Sequence, residues 1–340
     1  MKIAVVQSGT VHNDGRVDYS ITTSRQVDSL NLFDDVTVRV FLVTHRTNIF
    51  GFIKNFHRLQ KEIHLFKPDI VHSHYGSIVA FMALLIALKS KTKLIISFCG
   101  DDVLGSSNSG LTWMVRNKLM IFVSYLVSLR ADYIIVKSRN LHRALKKYAR
   151  RKATVLPNGV NSTFFKPNAV DSFESDFGEN LRHSGRIVKI FFNASEGSNQ
   201  AVKNLALAKS TIVELNKAGI TSKLITVTNA KPKEFKDKLL SSDCLLLTSF
   251  HEGSPNVVKE ALACNIPVVS VDCGDVKELL VEVNKGGVVP KYDERLIALK
   301  IMEVLESNEY FNGRDQIMKM GLDESVIAQK IIDLYRSILN

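Results

Sequence analysis

Two carboxylates eight positions apart, Glu252 and Glu260, stand in the stretch SFHEGSPNVVKEALACNIPVVSVDCGDVKELL, residues 249–280, with Gly253 and Pro255 between them and an apolar run at 266–271 behind. The pattern predicts a strand ending near Ser249, a loop at its carboxyl edge, and a helix over 256–264 with Pro255 in its first turn. Glu252 then lies on the loop and Glu260 about a turn into the helix. The amides of Asn256, Val257 and Val258 are donors at a helix start, which with the helix dipole favours an anion such as a diphosphate. Ser254 belongs to the same candidate donor loop. Carboxylates near hydroxyls and amides near phosphate describe a nucleotide-sugar site. They do not describe a glycosidase, whose two carboxyls must flank one bond at roughly 5 to 9.5 Å. Spacing alone is also compatible with a surface Glu and a helix Glu in an ordinary βα unit.

The elements that would carry these residues follow a strand–helix rhythm. Strand-like runs at 3–7, 36–43, 70–72, 94–98, 133–136 and 154–156 alternate with helical patterns at 20–32, 53–66, 77–87 and 112–129. A polar stretch, 166–186, interrupts the rhythm, which restarts with strands at 188–193, 223–228, 244–248 and 267–271 and helices at 205–217, 233–241 and 256–264. Repeated βαβ units mean parallel sheets. The 340 residues, 45% hydrophobic, suit two such domains rather than one core. The expected fold is α/β, with two facing Rossmann-like doubly wound sheets and a cleft between the carboxyl ends of their strands, where ligands gather. The expected domains are 1–165 and 166–321, with an amphipathic helix within 322–340 able to pack back on the first.

Charge and composition narrow the function. The net charge of +11 is uneven: residues 1–165 hold 23 Lys and Arg against 10 Asp and Glu, and the remainder 22 against 24. Much of the excess lies in RNLHRALKKYARRK, residues 139–152, read as one helix with Leu141, Leu145 and Tyr148 inward. Its outer side, Arg143, Lys146, Lys147, Arg150 and Arg151, is either a solvated face or a match for an anionic membrane surface or phosphate-bearing acceptor. Nucleic acid is disfavoured, because no helix-turn-helix, finger spacing or aromatic RNA-binding signature accompanies the charge. The start MKIAVVQSG lacks the features of a signal peptide, so secretion is not expected. The apolar run at 77–88 is too short for a membrane span. A cytoplasmic protein, at most peripheral on the membrane, is the expectation. Cys99, Cys244, Cys264 and Cys273 show no CxxC or metal spacing and read as reduced and structural.

The segment EGSPNVVKEALACNIPVV resembles the hallmark of glycosyltransferase family 4, a family of retaining GT-B enzymes, and VLPNGVNSTFFKP (155–167) is similar to the family's motif at the end of its first domain. The resemblance implies that Glu252 binds the donor sugar's hydroxyls and Glu260 the ribose. The family's Gly after AC is Asn265 here, in a turn where Asn tolerates positive φ. Lys203 and Asn204 are retained, which makes Lys203 the cation for the diphosphate, whereas Asn193, Ala194 and Ser195 stand where a Gly-Arg pair is usual. Losing that Arg removes a bidentate phosphate contact. In the first domain, SFCGDDVLG resembles the family's HG.D loop, with Cys99 in the place of His, then Gly100 and Asp102. The missing imidazole's role is either absent or moved to His74 or His72. Gly9 would let the backbone approach the donor phosphate, and His12 and Asp14 could meet either substrate or serve the fold alone.

The catalytic candidates are therefore Glu252, His74 and Asp102, and the donor-binding candidates Gly9, Lys203, Ser254, Asn256, Val257, Val258 and Glu260. No covalent nucleophile stands out. No DxD or His cluster requires a metal, and GT-B enzymes do not normally need one, so no cofactor or metal is expected. The expected function is a hexosyltransferase acting from a nucleotide diphosphate sugar on a saccharide or lipid-linked acceptor, in surface polysaccharide or glycolipid assembly. The alternatives are a nucleotide-sugar epimerase of similar architecture and a sugar-nucleotide-binding protein with weakened catalysis. A Rossmann dehydrogenase is disfavoured, because no GxGxxG follows an early strand.

Overall fold

The computed structural model describes residues 1–11, 17–44, 48–105, 111–168, 186–194, 200–307 and 309–340. The chain divides into two compact units, Met1–Gly159 with Glu324–Asn340, and Val160–Asp323.

Unit 1 runs β1 (Lys2–Val11), β2 (Val17–Tyr19), α1 (Ile21–Leu30), β3 (Thr37–Val43), α2 (Ile49–Phe66), β4 (Ile70–His74), α3 (Ser77–Ser90), β5 (Lys93–Phe98), α4 (Asp101–Leu104), α5 (Leu111–Arg130), β6 (Tyr133–Val136), α6 (Arg139–Ala144), α7 (Lys147–Arg150) and β7 (Ala153–Val155). Strands β3, β1, β4, β5, β6 and β7 lie side by side and parallel. Helix α3 is apolar nearly all round because it is buried nearly all round: Val79, Ala80, Met82, Ala83 and Ile86 are all within the core under β4 and β5. The short β2, which the sequence pattern does not single out, pairs antiparallel with Gly9, Thr10 and Val11.

Unit 2 runs β8 (Val188–Asn193), α8 (Gln200–Lys203), α9 (Leu205–Lys217), β9 (Ser222–Val227), α10 (Pro232–Leu240), β10 (Cys244–Leu247), α11 (Asn256–Ala263), β11 (Val268–Val271), α12 (Val276–Leu280), β12 (Gly286–Val289), α13 (Glu294–Glu306) and α14 (Gly313–Lys319). Its parallel sheet has the order β12-β11-β10-β8-β9. Strands β10 and β11 are buried on both faces, which is why CLLL and VVSV carry so little polarity. The final helix, α15 (Glu324–Leu339), belongs to unit 1, where Tyr335 is fully buried.

Two expectations change. The boundary falls after Gly159 rather than after residue 165. Val160 bridges to Asp323, the Ser162 hydroxyl donates to the Asp323 carboxylate at 2.5 Å, and the Arg314 guanidinium donates to the carbonyls of Ser162, Phe165 and Ala263. Those bonds make residues 160–165 part of unit 2. The basic segment 139–152 is not one helix either. Leu145 adopts an extended backbone (φ −63°, ψ 145°) that ends α6 and buries its own side chain, and Arg150 donates to the carbonyls of Arg143 and Leu145. Tyr148 is consequently turned out, 54% exposed, while Arg143, Lys146, Lys147, Arg150 and Arg151 all stay at the surface.

Candidate functional site

In unit 2 the strand order reverses between β8 and β10. Connections leave such neighbouring strands toward opposite faces, which opens a crevice at their carboxyl ends. Lys203 follows β8 and Glu252 follows β10, and their side chains meet there: Lys203 Nζ donates to Glu252 Oε1 at 2.6 Å, each side chain about one-sixth exposed, at 16% and 17%. Lys203 closes the short α8. The next residue, Asn204, takes a left-handed backbone (φ 53°) and starts α9. Backbone bonds stitch the two loops together. The Phe250 amide donates to the Val202 carbonyl at 2.9 Å, and Thr248 Oγ1 bonds the carbonyls of Lys203 and Asn204 at 2.8 and 3.0 Å. The ion pair is therefore held by a buried backbone frame rather than by the pair's own attraction.

A third loop backs the second. Gly274, with φ +59°, lies so close that a Cβ would sit 3.1 to 3.2 Å from Gly253 O and Glu252 Cβ. Only glycine combines that backbone with that approach. Beside it, Lys259 Nζ donates to Ser254 Oγ at 3.2 Å, and Ser254 in turn bonds the Asp275 carboxyl, which burial pushes above the usual carboxylate range. Lys259 is fully buried. Ser254 is thus held by the loop's own wiring, not freely presented as a ligand donor. From the other side, Tyr292 donates its hydroxyl to the Phe250 carbonyl at 3.1 Å and packs its ring 5.2 Å from that of Phe250. Lys259, Gly274, Asp275 and Tyr292 were not candidates from sequence. The one local signal was a lysine inside the apolar run VVKEALA.

Helix α11 begins at Asn256 after Pro255, with no side chain capping its first turn. Of the three expected donor amides, that of Val258 is already committed to the Pro255 carbonyl at 3.2 Å. Glu260, a turn further in, is only 6% exposed. Its Cβ points back toward the helix start, as helical side chains do. Asn265 has φ 57°, as the turn requires, and its Oδ1 accepts the Arg314 amide at 3.0 Å. Ser195, where the expected arginine is missing, lies outside the described residues, as do His12 and Asp14.

In unit 1 the sheet reverses between β1 and β4. The polar groups there are buried and bonded to one another. His72 hydrogen-bonds Tyr335 Oη at 2.6 Å and Ser97 Oγ at 2.8 Å; His74 Nδ1 is 3.3 Å from Thr23 Oγ1, which bonds Gln7 Oε1 at 3.4 Å. Burial, and then the nearby Lys137 charge, pushes His74 down to about 3. Burial likewise lowers His72, reinforced by the nearness of His74 and Lys137. Both rings are neutral at pH 7. His74 Nε2 and Lys137 Nζ are buried and have no hydrogen-bond partner among the described residues.

Three candidates in this unit are repositioned by the structure. Asp102 is fully buried and accepts from the amides of Gly76 (2.8 Å), Cys99 (3.1 Å) and Gly100 (2.9 Å), so it fastens the β4–α3 loop to the β5–α4 loop. Burial raises it to about 6 in spite of those amides. It is a positioning residue. The fastened loop needs it: Tyr75 and Ser77 hold φ values of 96° and 58°, which non-glycine residues adopt at a cost. A Cβ at Gly9 would meet Asp18 O at 2.8 Å and Leu42 Cδ2 at 2.9 Å. Its missing side chain makes room for β2. His72 is structural, leaving His74 as the one histidine of the pair with an uncommitted nitrogen. Cys99 is exposed, and Cys244, Cys264 and Cys273 are buried free thiols.

Among the described residues no group of three or more His, Cys, Asp or Glu side chains converges as a metal site, and no helix is long and apolar enough to cross a membrane.

Residues 18–164 match the family model Glycosyltransferase Family 4, and residues 208–319 match Glycosyl transferases group 1. The chain is 26% identical over 225 residues to TuaC, a glycosyltransferase assigned to teichuronic acid biosynthesis in Bacillus subtilis; the match covers 62% of this chain and 55% of TuaC, so the chain spans little more than half of that relative's length. Among solved structures, sucrose-phosphate synthase from Thermosynechococcus elongatus superimposes with a TM-score of 0.70 at 14% identity, covering 99% of this chain and 98% of that one. HepE of Anabaena in complex with UDP and glucose does so with a TM-score of 0.70 at 14% identity, covering 99% and 100%. The two family matches together span most of the sequence: the chain belongs to the family 4 glycosyltransferases, built as two parallel-sheet α/β domains of the GT-B type.

Proposed function

We propose that the protein is a retaining hexosyltransferase that moves a sugar from a nucleotide diphosphate donor to a saccharide or lipid-linked acceptor. The observation that carries this reading is the Lys203–Glu252 pair at the reversal of the unit 2 sheet. It places a cation and a carboxylate side by side. A sugar whose hydroxyls donate to Glu252 brings its anomeric phosphate against Lys203, with the α11 start supplying amides to the same diphosphate. As the bond to the sugar breaks, negative charge grows on the departing diphosphate, and a fixed ammonium with fixed amides stabilises it without reorganising. Glu260 takes the ribose. His74, neutral and with Nε2 uncommitted, is the candidate group of unit 1 for the acceptor or donor sugar. We assign no metal to the reaction, because Lys203 and the amides meet the diphosphate charge.

Two features support an acceptor in surface polysaccharide or glycolipid assembly: the similarity to TuaC and the basic surface of unit 1, where Arg143, Lys146, Lys147, Arg150 and Arg151 suit an anionic membrane surface. Incubation with a panel of nucleotide diphosphate sugars and candidate acceptors tests the reading. Acceptor-dependent release of nucleotide diphosphate, product with the donor's anomeric configuration, and loss of both in Glu252→Ala are the expected results. Formation of a new nucleotide sugar with no nucleotide released would replace transfer by epimerisation.

A further inference from the structure

We propose that α5 is the element that docks the protein onto an anionic lipid bilayer, its apolar stripe entering the interface while flanking cations meet the lipid headgroups; the proposal deepens, and rests on, the peripheral association put forward above. Met114, Val115, Leu119, Phe122 and Leu126 are each 43 to 62% exposed on this one helix. At 100° per residue they fall on a single side, together with the exposed Tyr125, whereas Ser124, Val127 and Ser128 on the other side are buried. An exposed apolar stripe of five large side chains is unfavourable in water and marks an interaction surface.

Charge identifies the partner. Helix α5 contains no Asp or Glu. From residue 111 to 152 the chain has eleven Lys and Arg and a single acidic residue, Asp132. Lys118 stands within the stripe, and Arg116 and Arg130 at its edge, where long cationic side chains can lay their stems on apolar surface and reach outward to phosphate. The basic turn α7 abuts the far end of the same helix: Tyr148 donates to the Leu129 carbonyl at 3.4 Å, and the Lys152 ammonium stacks over the Tyr148 ring. Apolar insertion bordered by cations is the pattern of an interfacial helix. The helix is not apolar enough to span the bilayer, so it lies in the surface plane.

Trp113, the chain's sole tryptophan, lies in the first turn of α5 on the side of Ser124 and Val127, away from the stripe, so binding is read by co-sedimentation rather than by its fluorescence. Wild-type protein is mixed with vesicles of phosphatidylcholine alone and of phosphatidylcholine with phosphatidylglycerol. The expected result is co-sedimentation with the anionic vesicles, weakened by salt, and little with neutral ones. Leu119→Ser/Phe122→Ser should bind anionic vesicles about tenfold or more weakly, with its melting midpoint and its transfer to a soluble acceptor unchanged. No co-sedimentation with anionic vesicles overturns the proposal. So does binding that survives the double substitution, or a concentration-dependent dimer that the substitution dissociates with no vesicle binding, which would make the stripe a self-association surface. Vesicle binding without turnover of any donor leaves the docking helix standing and removes the transferase reading instead.

Discussion

The two sheets reverse their strand order by the same rule and put the result to opposite use. At the reversal of unit 2, between β8 and β10, the polar groups form an ion pair still open to solvent, Lys203 with Glu252. At the reversal of unit 1, between β1 and β4, Gln7, Thr23, His72, His74 and Ser97 are buried and spend their hydrogen bonds on each other, and the nearby Asp102 spends its own on three amides. Topology supplies a crevice in both cases. Whether that edge faces a ligand depends on how much of its bonding capacity the chain has already used. Unit 2 keeps charge available at its edge; unit 1 uses polar groups as scaffold and, among the described residues, leaves three buried side-chain nitrogens without a hydrogen-bond partner, on Gln26, His74 and Lys137.

Substitutions should separate the two. Glu252→Ala should lower acceptor-dependent nucleotide release by about 10³-fold, the loss typical of a missing electrostatic or orienting group, while the melting midpoint barely moves. Asp102→Ala should show the reverse emphasis. Three buried amides lose their acceptor, at a cost of about 3 kcal/mol in the urea unfolding of unit 1, and activity falls as a consequence of lost fold. Equal loss of stability in both variants would erase the distinction between the edges.

Acid sharpens it further. His74 has its folded-state pKa lowered to about 3, so between about pH 6.5 and 3 the unfolded chain binds a proton that the folded chain does not. Stability therefore falls as pH falls through this window, by about 2 kcal/mol from this residue between pH 7 and 5. Asp102, raised to about 6, opposes this as pH falls from about 6 to 3.8, by roughly 1 kcal/mol between pH 7 and 5, because there the folded state holds the extra proton. His74→Asn should flatten the acid loss measured by denaturant midpoints at pH 7 and 5. An unchanged slope would show the ring is not held neutral. The smallest effect is expected of Lys137→Met, which removes a buried ammonium without a partner and should stabilise unit 1 by about 1 kcal/mol. Destabilisation would mean that the cation is a needed counter-charge.

Local physics made much of this legible in the sequence. The strands at 133–136 and 188–193 and the helix at 205–217 follow from apolar periodicity with the bounds they have in the structure, and the positive φ of Asn265 follows from turn chemistry. What sequence hid depends on partners far along the chain. The Glu252 carboxylate meets an ammonium 49 positions away, Asp102 reaches back to Gly76, and Gly9 is small because Asp18 and Leu42 crowd it. The basic segment breaks at Leu145 because burying that leucine outweighs one more helical turn, and the carbonyls so released find Arg150. In each instance tertiary packing sets the use to which the residue is put.

The central claim, that Lys203 and Glu252 divide the donor between them, is tested most directly by calorimetric titration of wild type, Glu252→Ala and Lys203→Ala with a nucleotide diphosphate sugar and with the free nucleotide diphosphate. The account predicts that Glu252→Ala weakens the sugar-bearing donor while leaving the free nucleotide diphosphate nearly unaffected, and that Lys203→Ala weakens both. Wild-type affinity for the donor in Glu252→Ala, or equal weakening of both ligands, would contradict it.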